Sequence, residues 1–303
     1  KLEDMNNPTS KDIAKMIISH CELDEQEDIL FPAIKDSFTI VNYKEYKDNP
    51  YNKLDIKPFS SNGSTLEYRS YPKNTLFPLD EISILEKENY KEISNLGISK
   101  EDYSFLALTK NQNIWMLITP NEINTMAPYI KEASGKVIVF GLGLGYITYM
   151  LSNKNNVSEI TVIEYDENII NIFKKNILPT FKNKNKIHII KYDAFNFLKG
   201  NDLHSYNYAF FDLWHNAEDG LAMYLKIKSY PLKTKCGFWL EKSIKAMYRR
   251  CLLTLIEEAL EGMDESNYQK AKNDTDKVIN ALYYKHKNTI INSYDDVIKL
   301  LDF

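Results

Sequence analysis

The chain has 303 residues, 44% hydrophobic and 13% aromatic, with 38 basic and 42 acidic side chains and a formal net charge of −4. That length builds one large domain or two ordinary ones. The near-even charge balance excludes a broad electrostatic footprint for nucleic acid, and the opening KLEDMNNPTS lacks the apolar segment of a secretory signal.

Cys21, Cys236 and Cys251 form no CxxC pair, and the histidines show no HxxxH spacing. Reduced thiols in a cytoplasmic protein without a metal site are expected. The longest apolar stretch is shorter than the ~20 residues that cross a bilayer, so no membrane association is expected. The lysine-rich run within Phe173–Lys191 reads as a solvated helix end and loop.

In chain order, residues 10–20 fit a short helix with Ser10 as N-cap. Residues 48–80, with Pro50, Pro58, Pro72, Pro78 and Asn62-Gly63, read as irregular, turn-rich chain. Over Leu79–Leu96, the spacing of Ile82, Leu85 and Ile93 predicts a helix stopped by Gly97. Tyr103–Thr109 and Ile114–Thr119 predict a hairpin across residues 110–113, and Asn121–Lys131 a helix.

Lys136–Leu151, KVIVFGLGLGYITYML, then joins an apolar strand at Val137–Phe140 to Gly141, Gly143 and Gly145 and a helix at Tyr146–Ser152. Such a turn lets a ligand approach the backbone, and the helix behind it presents free N–H groups. Strands follow at Glu159–Glu164, Lys186–Ile190, Tyr206–Asp212 and Cys236–Glu241. The helices between them are expected at Asn168–Leu178, Ala194–Lys199 and Glu218–Lys228. The alternation predicts an α/β fold, a doubly wound and mostly parallel sheet. An N-terminal α+β region would end near residue 130, with the sheet domain and a helical extension over 131–303. The extension reads as helices at Ser243–Glu261, Tyr268–Lys285 and Asp295–Leu301. Thr289–Asn292 is either part of it or a further strand.

Three acids stand at or just after strand ends: Glu164, Asp193 and Asp212. In an open α/β sheet those ends converge on one crevice with the glycine turn. An acceptor-only carboxylate at Glu164 suits ribose hydroxyls and disfavours a 2′-phosphate. Asp193 suits an exocyclic amine, and Asp212 a cationic centre. Each can equally cap the helix that follows it. Glu122 is a candidate substrate contact, or an acid at a helix start. In the loop Leu213–Gly220, Trp214 is a candidate for stacking on substrate and His215 for a general base. The alternative is local: Asn216 and Asp219 cap a helix and Trp214 packs beside it.

Residues from about 135 to 241 resemble a class I S-adenosylmethionine-dependent methyltransferase through VIVFGLGLG, TVIEYD, IIKYDAFNFL and YNYAFFDLW. The resemblance implies S-adenosylmethionine as cofactor. It puts Gly141 and Gly143 under the methionine part, Glu164 at the ribose and Asp193 at the adenine, with Leu142, Gly145, Tyr165 and Ala194 as further cofactor-binding candidates. Asp212 falls at the reaction centre.

The hairpin followed by Thr119-Pro120-Asn121-Glu122 is also similar to the segment before the glycine turn of spermidine synthases, which share the fold and use decarboxylated S-adenosylmethionine. Val139, two residues before the first glycine, suits that relative. Three departures stand against aminopropyl transfer: Leu144 and His215 replace expected acids, and Thr125-Met126-Ala127 replaces Tyr-His-Glu. The expectation is therefore a methyltransferase acting on a small molecule, with Asp212 and His215 as catalytic candidates and a homodimer as its assembly. Aminopropyl transfer to a polyamine, or adenosyl-ligand binding without catalysis, are the alternatives.

Overall fold

The computed structural model describes residues 7–88, 90–262 and 273–301. The chain divides into two compact units, Lys1–Asp212 with Lys233–Trp239, and Leu213–Leu232 with Leu240–Phe303. Residue 130 lies inside the first of them.

The first unit opens with α1 (Ser10–His20). Its N-cap is Thr9 rather than Ser10: the Thr9 hydroxyl accepts from the Asp12 N–H, and the Asp12 carboxylate accepts from the Thr9 N–H. Ser10 is used differently, accepting from the Phe38 N–H at 2.9 Å. Next come α2 (Glu27–Ile34), β1 (Phe38–Val41) and α3 (Lys44–Lys47).

The stretch expected to be irregular, 48–80, contains β2 (Phe59–Ser61), β3 (Ser64–Tyr71) and β4 (Leu76–Pro78). Asn62 and Gly63, both at positive φ, make the tight turn that joins β2 to β3. The helix expected over Leu79–Leu96 is absent. That segment holds β5 (Ser83–Leu85) paired with β6 (Lys91–Ile93), and β7 (Leu96–Ser99) begins at its end. Strand β7 is central to the β1-β7-β4 sheet, and this long-range pairing overrides a weak helical pattern of three apolar residues. Gly97 is no helix stop. It lies in β7, where a Cβ would meet the Phe77 ring at 2.7 Å.

The expected hairpin forms from β8 (Tyr103–Lys110) and β9 (Asn113–Leu117), with Asn111 and Gln112 turning at positive φ. It completes an antiparallel sheet of order β2-β3-β8-β9. Then α4 (Pro120–Glu132) starts with proline in its first turn, where the missing N–H costs nothing.

The alternating segment follows: β10 (Gly135–Phe140), α5 (Tyr146–Ser152), β11 (Val157–Glu164) and α6 (Glu167–Ile172), which continues through a π turn at Phe173–Ile177. After it come β12 (Ile187–Lys191), α7 (Ala194–Lys199), β13 (Tyr208–Phe211) and β14 (Lys235–Phe238). These strands pair in parallel in the order β12-β11-β10-β13-β14. Val137–Phe140 and Ala209–Phe211 are completely buried, as a central parallel sheet requires. The Phe140 and Phe211 rings stack at 4.6 Å and fix β10 against β13. The chain leaves β10 toward β11 on one side and meets β13 on the other, so its carboxyl end is the point where strand order reverses.

The second unit is helical in its described residues: α8 (Ala217–Lys228), α9 (Glu241–Leu260), α10 (Asp274–His286) and α11 (Tyr294–Leu301). Tyr224 donates to Glu241 at 2.7 Å, and the buried Arg249 donates to the Leu301 carbonyl at 3.0 Å. Thr289–Asn292 is not a strand, so the parallel sheet ends at five strands among the described residues. The first residues of the helix expected at Tyr268–Lys285 lie outside the described residues. No helix among the described residues is long and apolar enough to cross a membrane.

Candidate functional site

The glycine turn is shaped first by the protein itself. Gly141 sits at φ +98°, and a Cβ there would lie 2.0 Å from the Asp212 carbonyl oxygen. The first glycine is thus required where the ends of β10 and β13 meet. Gly143, at φ +53°, would carry its Cβ 2.5 Å from the Met116 sulfur. A thioether from β9 therefore lies against the bend over which a ligand tail is expected. Gly145 is the N-cap of α5, and the Leu142 and Leu144 side chains between the glycines are buried.

Glu164 ends β11 and turns back onto this bend. One carboxylate oxygen accepts from the Leu142 N–H at 3.1 Å, and the other from the N–H groups of Tyr165 and Asp166 at 2.7 and 2.8 Å. A carboxylate offers about four acceptor positions. Three are held by backbone, which leaves room for one ribose hydroxyl; a second requires one of those bonds to be shared. Tyr165 beside it is 70% exposed.

Asp193 is exposed and is the N-cap of α7, accepting from the Asn196 N–H at 2.8 Å. The capping role is therefore occupied on one oxygen, and the other has no partner among the described residues. Ala194 behind it is buried.

Asp212 follows β13, its N–H bonded to the Phe140 carbonyl at 2.9 Å. Burial, and then the charge of Glu164, push its carboxyl up to about 7. Glu122 lies in the first turn of α4, where burial, and then the charge of Asp212, hold it well above the usual carboxylate range. Neither acid has a cationic partner among the described residues. Two neighbouring acids without a cation are costly to ionise, and such a pair is a candidate for binding a positive group. This donor set fits a sulfonium or ammonium ligand: two acids for the positive centre, and Glu164 and Asp193 with acceptor capacity for a nucleoside.

The remaining candidates belong to the second unit. Trp214 is 4% exposed, and its ring packs on Gly220, where a Cβ would lie 2.8 Å away. His215 is exposed, with Nδ1 3.1 Å from the Asp219 carboxylate. Asn216 and Asp219 form a capping box that starts α8. Met116 and Lys110 carry no motif, and only the pairing of β8 with β9 brings them to the turn; Asp166 closes the TVIEYD segment but is not marked there as a site residue. Lys110 donates to Asp166 at 2.8 Å.

The raised carboxyl of Asp212 has a consequence for stability. The unfolded chain loses this proton near the ordinary carboxyl value of 3.8, the folded chain only at about 7. Between those values the folded state binds more protons, so unfolding becomes easier as pH rises. The melting temperature of the ligand-free protein is expected to fall from pH 5 to pH 8, and Asp212→Asn to remove most of that slope. A flat wild-type profile would show that Asp212 ionises freely.

The family model of the spermine/spermidine synthase domain matches residues 118–223, from the end of the hairpin through the glycine turn into α8. The chain is similar to spermidine synthase from Thermotoga maritima, with 11% identity over 44% of this chain and 50% of that one and a TM-score of 0.33. It is also similar to a putative O-methyltransferase from Klebsiella pneumoniae, with 9% identity, 54% and 64% coverage and a TM-score of 0.31. A SAM-dependent methyltransferase from Agrobacterium tumefaciens gives 15% identity, 36% coverage of each chain and a TM-score of 0.28. The chain thus spans half the length of that spermidine synthase. No curated protein matches. Over the matched segment the architecture is spermidine-synthase-like, in keeping with the resemblance read from the sequence.

Proposed function

We propose that the crevice at the carboxyl ends of β10, β11 and β13 binds S-adenosylmethionine, and that the protein is a methyltransferase acting on a small molecule. The observation that carries this reading is the pair of half-buried acids, Glu122 and Asp212, beside a carboxylate anchored to a glycine turn. The bound sulfonium would supply an electrophilic methyl carbon and a neutral leaving group. The residues would do the rest. Glu164 accepts from a ribose hydroxyl, Asp193 from the adenine amine through its second oxygen, and the Tyr165 face covers the base. Asp212 and Glu122 offset the positive charge and align the acceptor for in-line attack. A carboxyl that titrates near neutrality also suits the proton the acceptor gives up.

A second reading is aminopropyl transfer from decarboxylated S-adenosylmethionine to a polyamine. It is favoured by Glu122 and Asp212 together, since two neighbouring acids suit an acceptor with ammonium groups, and by the family match over 118–223. Titration calorimetry with the carboxylated and decarboxylated ligands separates the two. The first reading expects the carboxylated form to bind at least as tightly; a strong preference for the decarboxylated form supports the second. Ligand at 100 times its Kd should stabilise the fold by about 2.7 kcal/mol. If neither form binds or raises the melting temperature, both readings fail.

A further inference from the structure

The antiparallel sheet touches the nucleoside side of this crevice at three points, two of them on the hairpin. Lys110, the last residue of β8, places its ammonium 2.8 Å from one oxygen of Asp166 and 5.0 Å from the centre of the Trp115 ring. Asn168 donates to the Ser64 hydroxyl of the neighbouring strand at 2.8 Å. Met116 lies against Gly143. The hairpin thus contacts the loop after β11 and the glycine bend, the two segments that Glu164 ties together.

Asp166 has no slack. One oxygen accepts from Lys110, the other from the N–H groups of Asn168 and Ile169 at 2.9 and 3.4 Å, and its own N–H donates to Glu164. The ion pair is sheltered, with side chains 36% and 17% exposed for Lys110 and Asp166. Pinned between an aromatic face and a capped carboxylate, Lys110 fixes residue 166. Through the 166 N–H it fixes the direction of the Glu164 carboxylate.

We propose that Lys110 is a positioning residue for Glu164, so that the N-terminal sheet, through one ion pair, sets the geometry of ribose recognition. This rests on the reading of the crevice as a nucleoside site. A purely structural Lys110 would affect melting and leave ligand affinity alone; a positioning Lys110 acts on affinity only through Glu164.

The test is a double-mutant cycle read by calorimetry with S-adenosylhomocysteine. Lys110→Met is expected to weaken binding about tenfold and Glu164→Gln about thirtyfold, with the double variant no weaker than Glu164→Gln alone. Asp166→Asn keeps an N-cap oxygen for α6 but removes the charge partner, and should lose the same factor as Lys110→Met. Lys110→Arg should restore most of the affinity. Unchanged affinity in Lys110→Met and Asp166→Asn, or losses that simply multiply in the double variant, overturns the proposal while the crevice reading stands. Absence of wild-type binding removes both. If Lys110→Met does not fold, Asp166→Asn decides alone.

Discussion

Asp212→Asn should make the ligand-free protein more stable and unable to hold a cationic ligand. At pH 8 the wild-type carboxylate is ionised in a half-buried position, facing Glu164 and near Glu122. One pKa unit corresponds to about 1.4 kcal/mol, so a shift of this size, discounted for partial exposure, costs the fold about 2 kcal/mol. The amide removes that cost with nearly the same volume. A rise in melting temperature of about 5 °C is expected at pH 8, shrinking toward pH 5. Binding runs the opposite way. A cation favours the ionised acids, so wild-type affinity should increase with pH up to about 7, with protons released on binding below it. Calorimetry in buffers of different ionisation enthalpy measures that release. In Asp212→Asn the affinity should fall at least about a hundredfold, as expected for losing one partner of a desolvated charge pair. Lower stability in the variant, or unchanged affinity, sinks the assignment.

Gly141→Ala should be the most damaging single substitution in the glycine turn, costing about 3–5 kcal/mol. The residue has φ +98°, and the added methyl would overlap the Asp212 carbonyl oxygen. Neither side can retreat cheaply: the Gly141 N–H donates to the Ile163 carbonyl at 2.9 Å, and the Asp212 N–H to the Phe140 carbonyl at 2.9 Å. The same substitution at Gly200, where a Cβ meets nothing within 4 Å, should change stability by less than about 0.5 kcal/mol. Denaturant midpoints of the two variants measure the difference. A wild-type-like Gly141→Ala would mean that β10 and β13 do not approach as closely as the structure shows.

The parallel sheet could be read from the sequence because its signals are local: apolar runs such as Val137–Phe140 and Tyr208–Phe211, glycines at the turn, and helices of short period between. The hairpin at 103–119 was equally plain, two β-branched or aromatic runs around a polar turn. What could not be read were strands held by distant partners. Leu96–Ser99 is extended because β1 and β4 flank it, and nothing within residues 79–96 encodes that pairing. The same holds in the site. Glu164 and Asp212 come to the crevice because strand ends follow from the pattern. Met116 and Lys110 come there through the register of β8 with β9, which a single sequence leaves undetermined. Asp193 shows the limit of residue type: the carboxylate that suits an adenine amine is also the N-cap of α7.

The Glu164 carboxylate serves as a keystone between the glycine bend and the following loop, and this restricts how the site can drift. Exchanging it for a residue without an acceptor oxygen would orphan the N–H groups of Leu142, Tyr165 and Asp166 together. If the crevice holds a nucleoside as proposed, a change of nucleotide preference would demand a rebuilt turn as well as new contacts to the ligand.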